Sequence, residues 1–120
     1  MRSTSSAEST VLGTAFIRAG EGLGLDDTDL AAVLDEHVST VLLLRQGHEL
    51  LRPSTESWSR ALLLVEVYQA LLAAVGNEQN ARKWLSSENR SLRSRPRGLI
   101  KCRAGLEQVV QYLAANRSLF

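Results

Sequence analysis

The sequence has a single cysteine, Cys102, among 120 residues. One thiol excludes an internal disulfide and any multi-cysteine metal site, and it fits a reducing compartment. Aromatic residues make up only 5% of the chain and proline occurs twice, at Pro53 and Pro96. Long apolar runs are missing too: the longest are Ala61–Val65 and Ala70–Val75, far short of a membrane span. The opening MRSTSSAEST is polar, so it has no signal-peptide core. No useful stretch alternates apolar and polar residues, so no sheet is called for, and no internal repeat is present.

What is present is aliphatic. Apolar residues reach 44%, dominated by Leu, Ala and Val. The chain is well above the roughly 70 residues below which a fold usually needs a disulfide or metal staple. This composition favours packed helices in one soluble, cytoplasmic domain without a membrane partner.

The net charge of +1 hides a split. Residues 1–80 hold five Lys/Arg and eleven Asp/Glu, whereas residues 81–120 hold nine Lys/Arg and two Asp/Glu. Such polarity can steer a chain onto a charged partner, or let two halves of one fold attract each other.

Along the chain, the tail at 1–6 reads as disordered. Leu12, Phe16, Ala19 and Leu23 then lie on one helix face, ended by Gly22 and Gly24. Asp26, Asp27 and Asp29 suit the start of a second, short helix carrying Leu30, Val33 and Leu34. Asp35-Glu36-His37 breaks it, and a third helix is predicted over 38–48. Arg52-Pro53-Ser54 forms a boundary, with Ser54 able to cap the next helix. That helix, the strongest, is predicted over 55–75. Trp58, Leu62, Val65, Leu72 and Val75 share a stripe, and further apolar residues widen it, the pattern of a buried central helix. Beyond Gly76, Asn77 caps a short helix to Leu85, a basic loop comes next, and Pro96 opens another short helix. The last helix, about 104–116, carries Leu106, Val109, Val110 and Leu113.

The C-terminal third bears a distinctive ordered set: Ala81, Arg82, Trp84 and Leu85, then Asn89 and Leu92, then Pro96, then Gly105, Val109, Tyr112 and Leu113. This set resembles the toxin-binding domain of the Xre/MbcA/ParS antitoxins. Its pattern there is A-R-x-W-L, x-x-N-x-x-L, a proline, and G-x-x-x-V-x-x-Y-L. The N-terminal half, LGLDDTDLAAVL with VSTVLLLRQG, is similar to the family's Xre-like helix-turn-helix region, and SWSRALLLVEVYQAL to its linking helix. The resemblance spans about residues 10–117. It implies an all-α fold of six or seven helices, with a degenerate helix-turn-helix region over 1–53, a linking helix over 54–76 and a toxin-binding domain over 77–120. It also implies an antitoxin that binds and sterically blocks a RES-type, NAD-degrading toxin, forms a homodimer and represses its own promoter, alone or with toxin. Enzymatic activity, in that reading, belongs to the toxin, and the chain needs no cofactor. A stand-alone helix-turn-helix regulator is the alternative.

The expected toxin contacts are Arg97, Arg103, Tyr112, Arg117 and Phe120, supported by Trp84 and Leu113. Leu119 and Phe120 lie past the last helix and suit insertion into a toxin cleft, the plainer alternative being a frayed tail. Trp84 also reads as an ordinary core residue. The cations Arg90, Arg93, Arg95, Arg97, Lys101 and Arg103 leave toxin contact, internal pairing, a solvated face and DNA phosphate open. No aromatic lies among them, which disfavours a single-strand stacking platform.

For DNA, the candidates are Ser39, Thr40, Arg45 and Arg52. The family's reading helix often has Ser-Arg where this chain has Leu42-Leu43, which cannot hydrogen-bond a base edge. Residues 21–36 carry six acids and no base, a surface that repels phosphate. Leu42, Leu43 and Leu44 could instead make a dimer contact or pack within the chain. His37 and His48 have no third ligand nearby, so no metal site is expected. Cys102, between Lys101 and Arg103, reads as a partly buried structural thiol rather than a nucleophile. Gly20-Glu21-Gly22-Leu23-Gly24 comes after a helix and lacks the strand context of a dinucleotide loop. No Ser–His–Asp order or catalytic carboxylate pair emerges.

Overall fold

The computed structural model describes residues 3–48 and 51–116, which form seven helices and no strand. They are α1 (Ser3–Gly22), α2 (Asp27–Leu34), α3 (Val38–Arg45), α4 (Glu56–Val75), α5 (Glu78–Ser86), α6 (Pro96–Leu99) and α7 (Arg103–Asn116). The all-α expectation holds. Several boundaries shift. Helix α1 begins at Ser3, inside the stretch that reads as disordered, and α3 ends at Arg45, before Gly47 with its φ of 92°. Thr55 caps α4 instead of Ser54: Ser54 sits in the left-handed region at φ 71°, and the Thr55 hydroxyl accepts from the Trp58 N–H at 3.2 Å.

The α1 stripe of Leu12, Phe16, Ala19 and Leu23 is buried, as its spacing requires. It packs on α4, which also touches α2, α5 and α7, so α4 is the axis of the fold. The side of α4 that turns inward is Ala61, Leu64, Val67 and Leu71. The expected stripe of Trp58, Leu62 and Val65 is only partly covered, and Leu62 stays 46% exposed. The helix is therefore central without being buried on most sides.

Helices α2 and α3 meet in a helix-turn-helix arrangement. Asp35 takes the left-handed conformation at φ 58°, which an Asp tolerates better than most residues. Its N–H and that of Glu36 return to the Ala32 and Ala31 carbonyls. Glu36, a poor residue for an apolar turn position, stays exposed and accepts from the Ser57 hydroxyl on α4 at 2.6 Å. The loop after α5 is an ordered turn. Asn89 and Ser94 pair their backbones, and the Asn89 side chain accepts from the Leu92 N–H at 3.0 Å while Leu92 plugs the core.

One feature sets α7 against α6, and a second ties the two halves of the chain together. Gly105, at the start of α7, lies against the Leu99 backbone so closely that a Cβ would collide with the Leu99 carbonyl. Asp29 caps α2 through the Asp26 N–H at 3.1 Å and binds Arg97 at 2.5 Å and Lys101 at 3.1 Å, with its side chain only 10% exposed. Burial raises its pKa, but the Asp26 N–H, Lys101 and the charge of Arg97 outweigh burial and hold the carboxyl below its ordinary value.

A carboxyl with a depressed folded pKa stabilises the fold above its unfolded pKa and stops doing so as pH falls through the folded value. Thermal stability is thus expected to fall below about pH 4, and Asp29→Asn to flatten that decline in a melt series. Asp29→Ala, which leaves two cations facing an empty site, is expected to cost about 2 kcal/mol in urea unfolding at pH 7. Gly105→Ala is expected to cost about 3 kcal/mol in the same assay, because the Leu99 backbone cannot step aside.

Candidate functional site

The residues of the C-terminal set divide by position. Ala81, Leu85, Leu92, Pro96, Gly105, Val109 and Leu113 are buried and hold α5, α6 and α7 to α4. Leu113, expected beneath a toxin contact, is 1% exposed and belongs wholly to the core. Arg82 is a staple: its guanidinium donates to the carbonyls of Gly22 at 3.0 Å and Glu21 at 3.3 Å, fastening α5 to the end of α1. Asn89 builds the loop turn. The ordered set is thus chiefly a folding pattern.

Trp84 and Tyr112 are the exceptions. Both are half-buried, and their rings stack across α5 and α7 with centroids 6.1 Å apart and planes 26° apart. The structure brings these two candidates together into one aromatic platform, part in the core and part at the surface. Arg117 and Phe120 lie outside the described residues.

Arg97 and Arg103, expected to face a toxin, are engaged inside the chain. Arg97 holds Asp29 and donates to the Gly24 carbonyl at 3.2 Å. Arg103 bridges Glu56 of α4 at 3.0 Å and Glu107 at 2.9 Å. Arg60 and Arg103 together hold the Glu56 carboxyl below its usual range. Of the open readings of the basic stretch, internal pairing accounts for Arg97, Lys101 and Arg103. Between α5 and α7, the cations that make no ion pair with a described residue are Lys83 on α5 and Arg90, Arg93 and Arg95 in the loop after it, all exposed. Lys83 is the one that sequence reasoning misses, because spacing does not show which cations already have a carboxylate.

On the N-terminal side, Arg45 is held by Asp27 at 2.7 Å and Glu21 at 3.0 Å. The acids expected to repel phosphate thus also occupy the cation that would have met it. Ser39 is exposed beside its hydrogen-bond partner His37, Thr40 is half-buried and Arg52 is exposed. The leucines separate: Leu44 is buried, while Leu42 is 46% and Leu43 38% exposed, so in-chain packing explains only the first. Cys102 is exposed rather than partly buried. Its Sγ lies 3.4 Å from the Gly105 N–H, which donates to it at the head of α7. No group of three His, Cys, Asp or Glu suited to a metal ion occurs among the described residues.

No curated protein matches the chain. Residues 70–118 match the family model of the antitoxin Xre/MbcA/ParS C-terminal toxin-binding domain. The match runs from the last turns of α4 through α5, the ordered loop, α6 and α7, the elements that carry the aromatic platform and the unpaired cations. Residues 70–118 are therefore similar to the toxin-binding domain of the Xre/MbcA/ParS antitoxins, and that likeness supports an antitoxin role.

Proposed function

We propose that this chain neutralises a RES-type, NAD-degrading toxin by covering its active site, acting in the cytoplasm as a homodimer and performing no chemistry itself. The observation that carries this reading is the toxin-binding domain at residues 70–118. In this reading the Trp84–Tyr112 platform and the cations Lys83, Arg90, Arg93 and Arg95, which pair with no described carboxylate, meet the toxin together with Arg117 and Phe120. Aromatic and Arg side chains are the types that dominate interface energetics. Arg97, Arg103 and Leu113 then position the domain and do not themselves touch toxin.

Repression of the chain's own promoter belongs, in this reading, to the complex with toxin. The free chain carries an acidic helix-turn-helix surface, a neutralised Arg45 and leucines at 42 and 43. A stand-alone regulator would need cations free to reach phosphate.

Co-expression with the product of the adjacent gene is expected to restore growth and cellular NAD, with the two proteins co-purifying. Absence of a complex and of rescue would exclude the antitoxin reading for that gene pair. Arg93→Glu with Arg95→Glu, or Arg117→Glu, is expected to weaken toxin affinity about tenfold or more in calorimetry, with unchanged helicity. In gel shifts at physiological salt, the free chain is expected to leave its upstream DNA unshifted while the toxin complex retards it. Salt-sensitive retardation by the free chain would favour the stand-alone regulator.

A further inference from the structure

Helices α1 and α4 leave an apolar groove between them of about 590 Å³, lined by Ala7, Val11 and Ala15 on one side and Trp58, Leu62 and Val65 on the other. Val11 is 68% and Leu62 46% exposed at its lips. By length and composition α4 is apolar enough to cross a membrane, and its one large apolar side chain that stands well exposed, Leu62, lies on this face. Every residue lining the groove precedes residue 70, so the toxin-binding domain does not account for it.

The charges at the rim point to the occupant. Glu8 borders the groove at one end and Arg18 borders its continuation at the other. Both are exposed, and neither forms an ion pair with a described residue. Glu8, Val11, Ala15 and Arg18 are spaced by three, four and three residues, a single helix face that reads symmetrically about Gly13. Trp58, Leu62, Val65 and Gln69 repeat the symmetry on α4, with spacings of four, three and four.

We propose that the α1–α4 face bearing this groove packs on the same face of a second copy of the chain, related by a two-fold axis with the α1 helices antiparallel. A two-fold at the level of Gly13 sets Glu8 of each copy beside Arg18 of the other, and Val11 against the small side chains of Thr14 and Ala15. Each favourable contact then occurs twice, as in any isologous interface. Glu8 and Arg18 are separated by about 15 Å along the helix, so a parallel arrangement would set like charges together instead. The interface rests on the homodimer reading above, is independent of the toxin reading, and takes the dimer contact away from Leu42 and Leu43.

Sedimentation of the full chain is the test. The wild type is expected to be a dimer at micromolar concentration. Val11→Arg, placing a charge in the apolar seam, is expected to weaken dimerisation about a hundredfold. Glu8→Arg is expected to weaken it about tenfold, and the double variant Glu8→Arg with Arg18→Glu to restore it. Val11 and Glu8 are exposed in the single chain, so circular dichroism should show full helicity for each variant. A wild type that stays monomeric overturns both the homodimer and this interface. A dimer indifferent to Val11→Arg, or one dissolved by Leu42→Glu with Leu43→Glu, overturns this interface alone. Capture of the wild type, but not of Val11→Arg, by phosphatidylcholine vesicles would make the occupant lipid and overturn the proposal.

Discussion

The fold depends on one carboxylate. Asp29 closes the capping box that starts α2, and the same two oxygens accept Arg97 and Lys101 from the far end of the chain. Few positions could do both. The group must sit at the third residue of α2 to cap it, and must lie where α6 and the start of α7 arrive. Arg97 makes the second closure by reaching the Gly24 carbonyl in the α1–α2 loop. Arg82, from α5, fastens the end of the same α1 a few residues away. The charge asymmetry between the halves of the sequence is therefore first an internal matter. Acids of α2 and α4 meet cations of α6 and α7, and what stays without an internal carboxylate in the C-terminal third is a smaller, more local set of cations on α5 and its loop.

That division explains why the family pattern says little about contact chemistry. Seven of its eleven positions are buried, one is the Arg82 staple and one is the Asn89 turn. Gly105 is among the buried ones, since only a residue without Cβ lets α7 start against the Leu99 carbonyl. A pattern made of such residues fixes the shape of a platform. The chemistry displayed on it comes from positions the pattern leaves free, among them Lys83, Arg90, Arg93 and Arg95. Trp84 and Tyr112 serve both ends, with ring area in the core and ring edge at the surface.

Helix order, the glycine stops, the Asp26 and Asn77 caps and Pro96 at the head of α6 were all legible in the sequence, because caps and periodicity act within a few residues. Less local features were not. Whether Arg97 faces outward or onto Asp29 is decided by residues 68 positions apart. The α4 stripe misled for a related reason. Periodicity shows that an apolar face exists, but not whether an intramolecular neighbour covers it, and here α1 and α7 flank α4 without closing over Leu62. Thr55 displaced Ser54 as the cap because the turn after Pro53 drives Ser54 to positive φ.

Helices α2 and α3 keep their arrangement through contacts that face inward. Helix α2 carries Asp29, and its Val33 carbonyl accepts from Arg60 on α4 at 3.4 Å. The turn after α2 carries Glu36 to Ser57 on the same α4. Val41 and Leu44 of α3 fill the core beneath α1. Each of these contacts faces inward and is indifferent to what the outer face of α3 displays. The leucines at 42 and 43, and the carboxylates that hold Arg45, therefore lie on an outer face that the packing of the scaffold does not constrain. The shape of the α2–α3 pair is held by this chain's own packing, so its presence is no measure of DNA affinity.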